Sequence, residues 1–370
     1  MRRLRARGAG IGPTSACDRQ RAVPPGVALP CMTAGMVKRP TIHDVASAAG
    51  VSVTTVSDAL NGKGRVDPAT RKRVAQVVQS LGYRANRHAR GLRSGLSGAL
   101  GLLLPVDADA RSDEALSLDF YMRLASAAAA TTFSHGQALM LLPPKITLEG
   151  VRGFAIDGGI IVDPSARDVR TTLFGRLGLP VVTVERDLGR AEDRWYVASK
   201  SDVNTRQMLS HLAERGAERI ALLLPRANWG WASETLGAYE SWTRERGAPS
   251  IVVPVAMTPG EENAFNAARR LLGTRTPPDA IFVVAARFIG GTLRAAKAAG
   301  LDVPGELLLA AGVDSVQARE GDPPITALDL HPELQGEAAV QMLLARLAGD
   351  SDDAPRYVDA TLQIRASTGS

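Results

Sequence analysis

Early in the chain, the side chains best suited to chemistry are short and polar. Val53, Thr54, Thr55, Ser57 and Asp58 follow Ser52 closely, and at helical spacing they occupy the exposed side of one helix. A side of that kind offers hydroxyls and a carboxylate near the backbone and no long aliphatic stems. It can enter a major groove about 12 Å wide and meet base edges without clashing. A plain surface helix would carry Lys and Glu there instead. The surroundings are basic: residues 36–97 hold 11 Lys and Arg against 3 Asp and Glu, whereas residues 98–370 hold 27 against 34. A segment so charged displaces counterions from phosphates.

Other chemistries find few residues to carry them. His43, His88, His135, His211 and His331 are dispersed without metal-ligand spacing, and no Ser sits in a GxSxG elbow. Both cysteines, Cys17 and Cys31, lie before residue 36, so neither a zinc finger nor a thiol nucleophile is expected beyond that point. Gly101-Leu102-Leu103-Leu104-Pro105-Val106 contains no phosphate-cradling glycine pattern. We therefore expect no enzyme, no cofactor and no metal site. No apolar run approaches the ~20 residues that span a bilayer, so a soluble, cytoplasmic chain without membrane contact is expected.

Three helices must position the polar face. Thr41 caps the first, Ile42, Val45, Ala46 and Ala49 share one face, and Gly50 stops it. Val51 plugs a turn and Ser52 caps the second, whose inward stripe is Val56, Ala59 and Leu60 before Asn61-Gly62. Asp67 and Pro68 open the third, with Val74, Val77, Val78 and Leu81 inward, Arg71, Lys72 and Arg73 outward, and Gly82 at its end. Two capped helices joined by a glycine turn make a helix-turn-helix; taken without the polar face, the same pattern also fits a generic three-helix bundle.

Flanking segments differ in kind. Residues 1–35 carry Arg2, Arg3, Arg5 and Arg7 with scattered Gly and Pro and no apolar periodicity, so disorder is expected. A mis-assigned upstream start is the preferred explanation for them and a basic DNA-tethering arm the alternative. Asn86 to Gly95 reads as a short helix with interleaved cations, Arg87 among them, that runs into a Gly/Ser-rich linker and is too short to be stable alone.

From Gly98 onward, strand-sized apolar runs alternate with helical stretches, in the βα repetition of a parallel sheet. The first series runs Leu100–Leu104, a helix near Phe120–Phe133, Ala138–Leu142, Gly159–Val162 and Val181–Val184; the second runs Arg219–Leu224, Ile251–Val255, Ala280–Val284 and Leu307–Val313 with helices between. Two similar series imply two lobes. Ligands of open α/β sheets sit at the carboxyl ends of strands, so Asp107, Arg186, Trp229, Trp231, Arg287 and Asp314 are the candidate effector residues. Aromatic faces suit sugar rings or bases, and Asp suits hydroxyls.

The motifs Asp44-Val45-Ala46, Ala49-Gly50-Val51-Ser52, Thr55-Val56-Ser57 and Leu81-Gly82-Tyr83, with Asn86, resemble the head of the LacI/GalR family of bacterial repressors. Gly216-Ala217-Glu218-Arg219-Ile220-Ala221, Gly300 to Pro304, Pro323 to Thr326 and Gly312-Val313-Asp314 resemble that family's periplasmic-binding-protein-like (type I) core. The resemblance covers about 36–365 and is far more specific in the head. It implies that Val53, Thr54 and Asp58 read base edges, and that Thr41, Ser52, Thr55, Ser57 and Asn61 hold phosphates or neighbouring bases. It implies a hinge helix that folds on operator DNA and inserts Leu92 into a central minor-groove step. Four positions depart from the family pattern. Asp58 stands where Arg is usual, Thr235 where an Arg is usual, and Ala285-Ala286 where Asn-Asp is usual.

Taken together, these readings predict an α/β protein with a three-helix head, a hinge and a two-lobed core with parallel sheets. The expected domains are a leader over 1–35, a DNA-binding head over 36–85, a hinge over 86–97 and an effector-binding and dimerisation body over 98–370. The expected partners are double-stranded, pseudo-palindromic operator DNA, a small-molecule effector such as a sugar or related metabolite, and a second copy in a homodimer, with a tetramer left open. The function expected is repression of transcription. A secreted solute-binding protein would need an export signal and no basic head, and an α/β enzyme would need converging acid, base or nucleophile residues that do not assemble here.

Overall fold

The computed structural model describes residues 40–62, 64, 66–83, 96–105, 119–190 and 192–369, with Asn61 in its backbone only. The leader, the hinge with Arg87 and Leu92, and Asp107 lie outside the described residues. The chain divides into two units between Ala85 and Asn86.

In the first unit, α1 (Ile42–Ala49), α2 (Val53–Asn61) and α3 (Pro68–Leu81) begin and end where side-chain chemistry requires. The Asp44 carboxylate accepts from the Thr41 backbone N–H at 2.6 Å and from its hydroxyl at 2.7 Å, while the Thr41 hydroxyl oxygen accepts from the Asp44 N–H, a reciprocal capping box. Gly50 closes α1 in the left-handed region at φ 63°, a conformation that costs glycine nothing and most other residues strain. The Asp67 carboxylate caps α3 through the N–H groups of Ala69 and Thr70 at 2.8 and 3.2 Å. Val45, Ala46, Ala49, Val56, Ala59 and Val74 form the buried centre. Leu60 and Leu81, expected inward, are each 39% exposed. Each is at or next to a helix's last residue, and the core closes before reaching them: Val78 and Tyr83 pack where Leu81 was expected.

The second unit contains two six-stranded sheets. Its elements in chain order are β1 (Ala99–Leu103), α4 (Asp119–Ser134), β2 (Ala138–Leu141), α5 (Leu148–Gly153), β3 (Gly158–Val162), α6 (Val169–Arg176), β4 (Val181–Val184) and β5 (Tyr196–Ser199). There follow α7 (Ser201–Glu214), β6 (Ile220–Pro225), α8 (Gly230–Arg246), β7 (Ile251–Val255), α9 (Gly260–Leu272), β8 (Ala280–Val283), α10 (Ile289–Ala298) and β9 (Leu308–Ala311). The chain ends through α11 (Val316–Arg319), β10 (Thr326–Asp329), α12 (Pro332–Leu347), β11 (Arg356–Val358) and β12 (Thr361–Gln363). The first sheet is ordered β11-β5-β4-β3-β1-β2 and the second β12-β10-β9-β8-β6-β7. All pairings are parallel except β10 with β12. Strands β3, β4, β6 and β8 are buried throughout, as expected where helices cover both faces of a parallel sheet.

The lobes are not the two successive halves that the repeat pattern suggested. After β10 of the second lobe, the chain returns to the first: Ala339, Val340 and Leu343 of α12 join a core with Leu124 and Ala128 of α4, and β11 adds to the first sheet beside β5. β12 then pairs with β10 of the second. The lobes are thus joined by three strands of chain, which resists independent drift. The returning strands have three residues each, β11 with two of its three exposed. So short and wet a segment carries little hydrophobic period.

Candidate nucleic-acid face and ligand cavity

The face of α2 is set by Ser52, whose Oγ accepts the Thr55 N–H at 3.1 Å and lies 2.8 Å from the Thr55 hydroxyl. Ser52 and Thr54 are exposed, while Val53, Thr55 and Asp58 are half-buried. Val53 leans on the core of the unit. The Asp58 carboxylate lies against Gly64, where an added Cβ would stand 3.0 Å from Oδ2. Ser57 corrects the expected pattern, for it is buried. It lies one residue on from Val56, on the inner side of a helix that two neighbours cover. Arg71, Lys72 and Arg73 are exposed on α3.

Between the lobes lies a cavity of about 910 Å³ including its open mouth. The polar groups on its first-lobe side stand where the strands end. Asp163 follows β3 and Glu185 follows β4, both in the left-handed region at φ 44° and 71°, and Ser199 ends β5. The Tyr121 hydroxyl donates to Asp163 Oδ2 at 2.6 Å. Burial pushes the Asp163 carboxyl up to about 6, against the opposing pull of hydrogen bonds from Tyr121 and Trp231 and of the Arg170 charge. Glu185 Oε1 accepts from the Ser199 N–H at 3.0 Å and its hydroxyl at 2.8 Å. Burial, with the neighbouring Asp163 charge adding to it, pushes the Glu185 carboxyl up to about 8 despite those bonds. Glu185 Oε2 and Asn204 Nδ2 are buried without a hydrogen-bond partner.

Of the candidate residues, Trp229, Trp231 and Arg287 line this cavity, and the two indoles stack with centroids 5.4 Å apart. Arg186 and Asp314 do not line it. Just past the end of β4, with the backbone at Glu185 in the left-handed region, Glu185 turns inward, and Arg186 instead donates to Glu234 of α8 at 2.7 Å, 5.7 Å above the Tyr196 ring. Asp314 is held by Arg319 at 3.0 Å and Arg365 at 2.9 Å. Asp163, Glu185, Ser199, Asn204 and Tyr121 were missed by sequence reasoning. The strand-end rule pointed one residue past Glu185, and Asp163 directly follows an apolar run, where the same rule would have found it.

Both sides of the cleft are clasped. Arg319 of the second lobe also reaches Asp119 of the first at 2.8 Å, and Gly230 lies so close to the first lobe that an added Cβ would be 2.3 Å from the Arg186 carbonyl oxygen. Among the described residues, no cluster of His, Cys, Asp or Glu could hold a metal ion, and no helix is long and apolar enough to cross a membrane.

Known proteins share both units. Residues 41–86 match the bacterial regulatory proteins, lacI family, and residues 209–368 match a periplasmic binding protein-like domain. The HTH-type transcriptional regulator CelR of Thermobifida fusca is 27% identical over 339 residues, spanning 89% of this chain and 98% of that one. The maltose regulon regulatory protein MalI of Escherichia coli is 32% identical over 57% of this chain and 61% of its own. A CelR–cellobiose complex shares the fold at a TM-score of 0.67 and 25% identity, covering 89% of this chain and all of that one. The lac repressor dimer bound to operator does so at 0.74 and 22%, over 90% of this chain and all of that one.

Proposed function

The chain belongs to the lacI family of bacterial regulatory proteins, and from that premise we propose how its own residues do a transcription regulator's work. Its DNA-binding head, over 36–85, presents α2 to the major groove. Val53, Thr54 and Asp58 meet base edges, and Thr41, Ser52, Thr55 and Asn61 hold phosphates or neighbouring bases. The observation that carries this reading is the α2 face itself, short, polar and fixed at its start by the Ser52 cap. Family regulators bind operator DNA, and a C2 dimer on a pseudo-palindromic site multiplies the small specificity of one helix. In the hinge, over 86–97, Arg87 would approach the backbone and Leu92 would wedge a minor-groove step, kinking the duplex at a cost of a few kcal/mol.

The body, over 98–370, takes an effector in the cleft between its lobes. Relatives are named for cellobiose, ribose and maltose systems, which supports a sugar or related metabolite here. Effector binding shifts the balance of lobe arrangements and, through reciprocal coupling, the affinity for DNA. The protein acts in the cytoplasm as a repressor and performs no catalysis.

The test is site selection from random duplexes followed by titration of the enriched site. Asp58 accepts and cannot donate, so the site should carry cytosine where the usual Arg would select guanine. Asp58→Arg should reverse that one position by about 1–3 kcal/mol, or roughly 10- to 100-fold. No enrichment over random competitor at moderate salt would overturn the reading.

A further inference from the structure

The polar chemistry of the cleft has a definite sign. Asp163 and Glu185 are each about 95% buried, and among the described residues no basic side chain lies within ion-pair distance of either. Asp119, the third acidic residue lining the cavity, is already matched by Arg319. Arg287 is the one basic side chain among the described lining residues, and its stem packs over Gly260 in the second lobe. The groups facing the two carboxyls are otherwise neutral or acidic. Tyr121 and Trp231 face Asp163, Ser199 faces Glu185, and Glu234 adds to the negative field at Glu185 although Arg186 is bonded to it. Arg170 acts on Asp163 from α6, with its guanidinium bound to Asp168.

Unmatched carboxyls in a low-dielectric cavity are costly as anions, and Glu185 keeps one oxygen without a hydrogen-bond partner. A donor that also carries positive charge would satisfy that oxygen and offset one of the pair's two charges. The stacked indoles of Trp229 and Trp231 supply π faces that attract a cation and cover an apolar ring. The unpartnered Asn204 Nδ2 calls for an oxygen acceptor on the same molecule.

Building on the effector cleft of the preceding section, we infer that the ligand is an amino sugar or similar amino polyol, whose protonated nitrogen sits against Glu185 and Asp163 while a ring oxygen or hydroxyl accepts from Asn204. Binding such a cation draws Glu185 into its ionised form, so a proton leaves the protein as the ligand enters. Neutral sugars of the same shape can take up the hydroxyl contacts and cannot match the charge.

Calorimetric titration of the full chain at pH 7 with two matched pairs tests this: glucosamine against glucose, and the glucosamine β-1,4 dimer against cellobiose. In at least one pair the amine should bind tenfold or more tightly than its hydroxyl counterpart. Its binding enthalpy should differ between phosphate and PIPES buffers, as proton release requires. Glu185→Gln should abolish both the preference and the buffer dependence, and Asp163→Asn should weaken the preference, with thermal melts showing that each variant folds. Equal or tighter binding of the hydroxyl members, binding without proton release, or no binding by any of the four would overturn the inference. Operator affinity measured alongside keeps the two readings apart. A neutral sugar that binds and shifts it would leave regulation standing and sink the amine, whereas an amine that binds without shifting it would do the reverse.

Discussion

The two walls of the cleft are built from the same βα scaffold and end their strands in different chemistry. The first-lobe wall ends its strands in Asp163, Glu185 and Ser199, backed by Tyr121. The second-lobe wall ends its strands in Val284, Ala285, Gly312, Val313 and Leu330, with Phe282 behind them. One wall therefore supplies the buried carboxyls, and the other most of the apolar surface together with Arg287 and Asn204. The contrast teaches that a two-lobed cleft can place its costly buried carboxyls in one lobe and face them with a mostly apolar wall from the other, where low polarity strengthens every charge interaction.

The sharpest way to break the comparison is to remove the support beneath the polar wall. Arg170 is 2% exposed, is bonded twice to Asp168, and donates to the Leu104 carbonyl at 2.6 Å. Arg170→Met leaves Asp168 buried without its partner and should cost about 3–5 kcal/mol in denaturant unfolding. A loss under 1 kcal/mol would show that the polar wall does not depend on this pair.

The polar wall should also be the one that senses pH. Folded Glu185 keeps its proton up to about 8, whereas its ordinary value is 4.5. Between those values the folded state holds more protons than the unfolded, so this group's contribution is full below 4.5, falls as pH rises through the window, and levels off above about 8. The slope is at most about 1.4 kcal/mol per pH unit. Melting temperatures of Glu185→Gln should fall less than those of the parent between pH 5 and 8, while Phe282→Leu on the apolar wall should lower stability by about 1 kcal/mol equally at every pH.

Contact between the walls is tested at Gly230, whose missing side chain lets α8 meet the Arg186 carbonyl. Gly230→Ala should force the lobes apart and cost about 1–3 kcal/mol, measured as a lower melting temperature and weaker ligand binding. The smallest expected effect lies in the head. Ser52→Ala removes the α2 cap and should lower stability by about 1 kcal/mol, with a larger proportional loss in operator affinity if the cap orders the reading face.

The head was legible because its signals are local. Thr41, Gly50, Ser52, Asp67 and Gly82 act within three or four residues of themselves, and all five stand at the helix ends they predicted. Ser57 and Leu60 went wrong because which side of α2 is covered depends on where two other helices lie. The body's strands were legible as apolar runs, and its lobe assignment was not, since α12 and β11 return to the first lobe through contacts more than 150 residues distant in sequence.

Sequence alone determined where helices start and stop, that a basic head precedes an acidic body, and that strands alternate with helices, because capping, charge and hydrophobic period are properties of neighbouring residues. Only the tertiary structure decided that Glu185 rather than Arg186 faces the cleft, that Asp314 is consumed by Arg319 and Arg365, and that Asp163 and Glu185 share one buried cavity. Burial and pairing belong to groups that meet in space, and a carboxyl's charge at neutral pH follows from who its neighbours are.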